Sequence, residues 1–272
     1  MNKANVNRQA NPSAVKSQLI ISLFPGIGLL DRGFEAAGFT VLRGPDQLWG
    51  GDIRHFTPPR GVAAGIIGGP PCQDFSAARR DEPTGNGLVM LEEFTRCVLA
   101  ADPDWWLMEN VARVPDWQIS GYSWQRLDLR ASEFGLKQSR LRHIQFGHRD
   151  GLVLAIRRGA TVDGDLERCV MATEGGKKDR RSWADFCELQ GLPRDFALPG
   201  LSRGGRYRAV GNGVPVPMAR ALAEGILNLR SDIRACDCGC GRELSGKQKA
   251  AGPACRKRLQ RRRDAAQPQS AG

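Results

Sequence analysis

The chain has 272 residues, enough for one large domain or two small ones, with 41% hydrophobic and 25% charged residues; these ordinary globular proportions exclude wholesale disorder. No run approaches the ~18 apolar residues of a membrane-spanning helix, and residues 1–17 lack the apolar core of a secretory signal, so the eight cysteines are expected to be cytoplasmic thiols or metal ligands rather than disulfides. Lysine plus arginine number 40 against 29 acids, a net charge of +11, and residues 231–272 alone hold ten bases against four acids. That asymmetry points to a polyanionic partner such as nucleic acid, although a solvated tail would have the same composition.

Residues 1–17 read as a disordered leader. The apolar run Leu19-Ile20-Ile21-Ser22-Leu23-Phe24 predicts a first strand, closed by a glycine turn. A helix follows, with Leu29, Leu30, Phe34 and Ala37 on one face and Gly38 as its stop. Further strands are expected at Val41-Leu42-Arg43, over residues 62–67 and at Trp105-Trp106-Leu107-Met108, with a helix over 88–101 whose inward face holds Leu91, Phe94, Val98 and Leu99. Residues 122–129 and 144–148 are later strand candidates, 157–205 look like an irregular insert, 215–227 form a last amphipathic helix, and 231–272 are an appendage. This alternation predicts an α/β fold: a doubly wound, mostly parallel sheet whose ligands bind at the carboxyl ends of its strands.

The chemistry-bearing residues fall at those ends. Phe24-Pro25-Gly26-Ile27-Gly28 is a glycine turn that lets main-chain amides approach a ligand, or merely permits tight strand-to-helix packing. Gly68-Gly69-Pro70-Pro71-Cys72-Gln73 presents a cysteine on a rigid turn, suited to nucleophilic attack if cationic neighbours lower its pKa. Cys97, Cys169 and Cys187 suit apolar positions inside helices or strands instead. Glu109 closes the next strand, as a cap or as a second functional group. Arg140 and Arg142, two apart, share one face if extended, where they bind an anion or carbonyl or simply add surface charge.

Together these segments resemble the cytosine-C5 DNA methyltransferases. The glycine turn resembles that family's first motif and Pro70-Pro71-Cys72-Gln73 its catalytic loop. Glu109-Asn110-Val111 is similar to its ENV motif and Gln138-Ser139-Arg140-Leu141-Arg142 to QxRxR. Glu188-Leu189-Gln190-Gly191-Leu192-Pro193 resembles RLQGFP, and Gly211-Asn212-Gly213-Val214-Pro215 resembles GNxVP. The order holds over about residues 18–228. The resemblance implies a Rossmann-like core, over 18–156 and 206–230, that transfers a methyl group from S-adenosylmethionine to C5 of a cytosine flipped out of double-stranded DNA. It makes Cys72 the nucleophile at C6 and gives N3 to Glu109 and the cytosine O2 to Arg142 with Arg140 nearby. Phe24, Gly26, Gly28, Asp46, Asp52, Pro70 and Asn212 would hold the cofactor, with Trp49 a candidate to stack on its adenine. Gln73, Ser76, Arg79 and Arg80 would contact DNA from a loop after the cysteine.

Three departures from the family stand out. The acid expected after the second strand has no clear match; Asp46 is its candidate replacement, and Asp52 fits the adenine contact better. Only residues 112–121 separate the ENV motif from the next strand, so a helix usual there is expected to be missing. The 157–205 segment, where relatives carry target recognition, is short. In the appendage, Cys236, Cys238, Cys240 and Cys255 offer four thiols for one Zn2+, or a cluster of reduced surface cysteines, and Arg256, Lys257 and Arg258 follow to meet phosphates. The three histidines read as structural or surface, and Trp105 and Trp106 as core. The alternatives are an RNA cytosine-C5 methyltransferase and a catalytically silent DNA-binding protein of the same fold; a thymidylate synthase does not fit the glycine turn. No partner protein is evident. A stand-alone modification role in the cytoplasm of a bacterial or phage-infected cell is the expectation.

Overall fold

The computed structural model describes residues 18–76, 82–159, 161–162, 164–238, 240, 242–244 and 247–266, the last five of these by backbone alone. In chain order the core elements are β1 (Leu19–Leu23), α1 (Leu29–Ala36), β2 (Thr40–Arg43), β3 (Gly65–Gly68), α2 (Asn86–Ala101) and β4 (Trp105–Asn110). They continue with β5 (Ser123–Arg130), β6 (Leu141–His148), α3 (Trp183–Leu189), α4 (Arg203–Asn212) and α5 (Val216–Leu227).

The strands form one six-stranded sheet in the order β2-β1-β3-β4-β6-β5. The first four are parallel, while β6 runs antiparallel to both β4 and β5. Helices cover both faces, so the parallel strands are apolar almost throughout. The pleat sends successive residues to opposite sides. Ile20, Ile67, Trp105 and Leu107 join Phe34 of α1 and Met218 and Leu222 of α5 in one core. Ile21, Ile66, Trp106 and Met108 join Leu91, Phe94 and Val98 of α2 in the other. The α1–α5 contact is close enough that a Cβ on Gly33 would lie 2.4 Å from the Ala219 Cβ. Strand order reverses between β1 and β3, which opens a crevice at their carboxyl ends.

Several sequence expectations are corrected. Val62 is 46% exposed, and β3 starts only at Gly65 because a turn at Gly61, tied to the Ala101 carbonyl, precedes it. Leu99 is 50% exposed: the inward stripe of α2 is Met90, Leu91, Phe94, Cys97, Val98 and Ala101, and Leu99 lies one step of about 100° beyond it. Cys169 is only half-buried and sits in an irregular segment beside Arg140, unlike the buried Cys97 and Cys187. The 157–205 segment is not uniformly irregular, for it carries α3 and the start of α4. Those helices bury Phe186, Leu189, Tyr207 and Val210 against Leu29 of α1, which ties this region to the main body. No helix forms over residues 112–121. That connection instead crosses α2 and β6, with the Trp117 amide donating to Gln145 Oε1 at 2.6 Å and its indole to Thr95 Oγ1 at 2.7 Å.

Candidate active site

A cavity of about 320 Å³ occupies the crevice, within the range of small-ligand sites. The glycine turn after β1 forms one end. Its backbone is unusual: Gly26 and Gly28 have φ of +55° and +74°, and Phe24 has φ +55°. Glycine takes that region freely, whereas a phenylalanine held there costs of order 1–3 kcal/mol and needs surrounding structure to impose it. Here the ring is packed against the α2-side core. The Gly26 peptide is pinned on both sides. Its N–H donates to Asp46 Oδ2 at 2.8 Å, and its carbonyl accepts from the Trp49 indole at 2.7 Å. A Cβ on Gly26 would meet nothing within 4 Å, so the turn borders open space.

The other end is built by β3, β4 and β6. Cys72 follows β3, half-buried, and lines the cavity together with Glu109 and Asn110 at the end of β4 and Arg142 at the start of β6. Antiparallel pairing opposes Asn110 to His143 and so brings the beginning of β6 to the ends of the parallel strands. Arg142 Nε lies 2.7 Å from Glu109 Oε1, with both side chains about nine-tenths buried. Asn110 Nδ2 donates to the Pro70 carbonyl at 3.1 Å and holds the cysteine turn against β4. Burial pushes the Glu109 carboxyl above the usual carboxylate range, opposed by Arg142 and Arg140. Burial also raises the Cys72 thiol; the Glu109 charge adds to this, and the two arginines oppose it.

Not every expected residue meets the cavity. Arg140 is buried behind it and is a strut: its guanidinium donates to the carbonyls of Val170, Gly211 and Gly213 at 3.1, 2.8 and 2.8 Å. The facing-pair expectation fails because the side chain turns away from Arg142 into those carbonyls. Asn212, between two of the clamped glycines, does line the cavity, as do Phe24, Gly26, Asp46, Pro70 and Gln73. Gly28 caps α1 just behind the lining. Asp52 lies outside it, its carboxylate turned to the Arg54 guanidinium at 2.6 Å. Trp49 is 63% exposed with its indole held by Gly26, away from the lining. Ser76 follows the cysteine turn, also outside the lining. Arg79 and Arg80 lie outside the described residues. Asp74 fixes the far side of that loop, with its carboxylate accepting from the amides of Thr84 and Gly87 at 3.1 and 2.7 Å.

A family model for C-5 cytosine-specific DNA methylases matches residues 47–182, half of the chain. The chain is 37% identical over 115 residues to the type II methyltransferase M.HgiGI of Herpetosiphon aurantiacus, covering 34% of this chain and 90% of that relative. The chain belongs to the C-5 cytosine-specific DNA methylases. It is also 36% identical over 165 residues to the type II methyltransferase M.HgiDI of the same organism, covering 49% of this chain and 53% of that relative; it thus spans about half the length of several curated relatives. A DNMT2 mutant from Spodoptera frugiperda shares the fold, with a TM-score of 0.55 and 15% identity over 77% of this chain and 99% of that one. The methylase family uses S-adenosylmethionine, and the crevice fits it. Open space lies above Gly26, apolar Phe24, Ile27, Leu48 and Ile53 line the walls, and the Asp46 carboxylate stands at the rim with acceptor capacity left after its two amide bonds.

Two features of this methylase escaped the sequence reading. One is the pinning of the Gly26 peptide by Asp46 and Trp49. The other is a polar knot: Gln138 Nε2 donates to the Leu189 carbonyl and to Gln190 Oε1, and Gln190 Nε2 donates to the carbonyls of Val210 and Gly213 at 2.8 and 3.0 Å. The signal was present, since both glutamines belong to quoted motifs, but a motif does not reveal that its members bind each other.

Proposed function

We propose that this chain transfers a methyl group from S-adenosylmethionine to C5 of a cytosine flipped out of double-stranded DNA, through a covalent bond between Cys72 and C6. The observation that carries the reading is the convergence of Cys72, Glu109 and Arg142 at one end of a cavity whose other end is a glycine turn. Cytosine C5 is too electron-poor to take a methyl group directly. The Cys72 thiolate adds to C6, while Glu109, whose carboxyl burial shifts toward the protonated form, gives a proton to N3 and accepts the charge pushed into the ring. Arg142, positioned by its pair with Glu109, donates to the cytosine O2. When bound, S-adenosylmethionine supplies an electrophilic methyl group on a sulfonium centre. C5 of the adduct would take that methyl group as the methyl–sulfur bond breaks and the neutral thioether S-adenosylhomocysteine leaves; water or hydroxide would then remove the C5 proton, the C6–sulfur bond break, and N3 return its proton to Glu109. Asp46 meets the ribose hydroxyls and Gln73 the DNA beside the flipped cytosine. Residues 157–205 contribute target recognition, and the exposed Arg256 and Lys257 of the tail contact phosphates, whereas Arg258, with its Nη1 buried, is withdrawn from that role. The likeness to type II methyltransferases supports a modification role.

The test is mass spectrometry of nucleosides from duplex DNA of mixed sequence incubated with the protein and S-adenosylmethionine, beside a Cys72→Ala variant and an RNA of the same sequence. Duplex containing 5-fluorocytosine, which has no C5 proton to lose, should remain bonded to Cys72 on a denaturing gel. Methylation by Cys72→Ala, or of RNA alone, would overturn the proposal.

A further inference from the structure

Beyond the methylase core the chain folds a second small unit: a two-stranded ladder of β7 (Arg234–Ala235) and β8 (Glu243–Leu244), followed by α6 (Pro253–Ala266). Its interior is almost all sulfur. Cys236, Cys238, Cys240 and Cys255 are buried together, and the other apolar groups are Leu244, Ala250, Ala251 and Leu259. Such a core cannot hold some 30 residues in a fold, since below about 40 residues a domain usually needs a disulfide, a metal or a partner.

We propose that these four cysteines bind one Zn2+ as a structural thiolate site, and that the metal is what folds the unit. Their four Sγ atoms lie within 4.8 Å of one another. Two of the pairs, Cys236–Cys238 and Cys240–Cys255, are 3.5 and 3.7 Å apart. Zinc–sulfur bonds of about 2.3 Å at the tetrahedral angle place sulfurs about 3.8 Å apart, whereas a disulfide needs about 2.05 Å. With every Sγ within 4.8 Å of the others and these two pairs close to the tetrahedral spacing, the four sulfurs form one donor set, not two cystines.

The surroundings suit a thiolate centre. The Ala251 amide points at Cys236 Sγ from 3.3 Å, and Arg242 Nη1 lies 4.0 Å from Cys255 Sγ. Cys255 sits in the first turn of α6, where the helix dipole favours a negative ligand. One turn later, Arg258 Nη1 is buried with no hydrogen-bond partner among the described residues; a cation there offsets the net −2 of a divalent metal with four thiolates. An all-sulfur tetrahedral set selects zinc or iron rather than magnesium or calcium. Zinc is the assignment, because it is redox-inert and needs no further ligand. The site also joins the unit to the body, since the Arg158 guanidinium donates to the carbonyl of the ligand Cys240 while pairing with Glu133 Oε1 at 3.0 Å.

The experiment uses the full chain, purified without a metal-affinity tag, and measures bound metal by plasma mass spectrometry together with limited trypsin digestion. One zinc per chain is expected, falling to near zero in Cys238→Ser and Cys255→Ser. Chelation should open the arginine- and lysine-rich segment after residue 231 to trypsin while the core stays resistant, and re-added Zn2+ should close it. Replacing zinc with Co2+ should give the strong visible absorption of a tetrahedral thiolate complex. Chains without zinc, chains carrying iron, zinc retained by both serine variants, or trypsin sensitivity indifferent to chelation would each overturn the proposal. None of these readouts depends on methyl transfer.

Discussion

Replacing Arg140 with methionine separates a strut from a substrate-binding arginine. The wild-type guanidinium satisfies three main-chain carbonyls at 2.8–3.1 Å, two of them flanking Asn212. Methionine matches much of the volume but takes one donor from each of those carbonyls, leaving Gly213 only Gln190 Nε2 and Val170 only the weak Cys169 thiol. Each lost charge-assisted bond is worth about 1.5–3 kcal/mol. The three share one side chain and the loop can relax, so the expected total is about 4 kcal/mol, typical of breaking a buried polar network. At roughly 2–4 °C per kcal/mol for a domain of this size, the melting midpoint should fall by about 10 °C. The assay is urea and thermal unfolding followed by circular dichroism, beside calorimetric titration with S-adenosylmethionine. Cofactor affinity should weaken as well, because the clamped loop carries Asn212. An Arg140→Met chain as stable as wild type but unable to methylate would refute the reasoning and return Arg140 to the substrate.

Other perturbations probe separate links. Because burial and Glu109 raise the Cys72 thiol, turnover should still climb with pH above about 9.5, where an ordinary thiol of pKa about 8.5 has levelled off; Glu109→Gln should cut the rate by about 10²–10⁴ yet shift the remaining alkaline limb to lower pH, and an unmoved limb would exclude the coupling. Gly33→Ala places a Cβ 2.4 Å from the Ala219 Cβ and 2.5 Å from two main-chain atoms, so overpacking of about 1–3 kcal/mol should outweigh a helix-propensity gain of about 1 kcal/mol. The melting midpoint should then drop by a few degrees, and adding Ala219→Gly should recover only part, since the main-chain clashes remain. Burial lowers the His143 pKa despite its hydrogen bond to Asp128, with Arg126 adding to the fall and Asp116 opposing it. The unfolded chain therefore binds more protons below about pH 6.5, and stability should decline as pH falls through that region while staying flat above it. Urea midpoints of His143→Gln should lack that decline.

Local patterns made most of the site readable. Glycine and proline punctuation after an apolar strand located Gly26 and Cys72 at strand ends, and the strand-helix alternation put those ends on one edge of a parallel sheet. What the pattern could not carry was direction. Arg140 and Arg142 are equivalent in an extended run, yet the carbonyls of residues 170, 211 and 213 draw one of them away from the cavity, and that depends on chain 30 or more residues distant. Asp52 similarly reads as a cavity acid but is occupied by Arg54, two positions on. The φ of Phe24 was invisible, since nothing in the identity of a phenylalanine announces a left-handed backbone. The register of β6, antiparallel beside a parallel β4, likewise follows from tertiary pairing rather than composition.

That reversal has a consequence for how the protein tolerates change. Because β6 begins at the cavity edge of the sheet, its eight residues carry the chain about 26 Å to the opposite edge. The following segment must climb back before it can deliver Val170, Gln190 and Asn212. A taut return would need only about eight extended residues; the protein spends far more. Leu154, Ile156 and Val170 of that return are core, but most of the described residues from 157 to 168 are exposed, and lengthening a surface loop costs only about 0.6 kcal/mol per doubling. Insertions and deletions there leave the strand ends that fix Cys72, Glu109 and Arg142 where they are. The reversed strand thus separates the part of the chain in which length is free from the part in which an ångström matters.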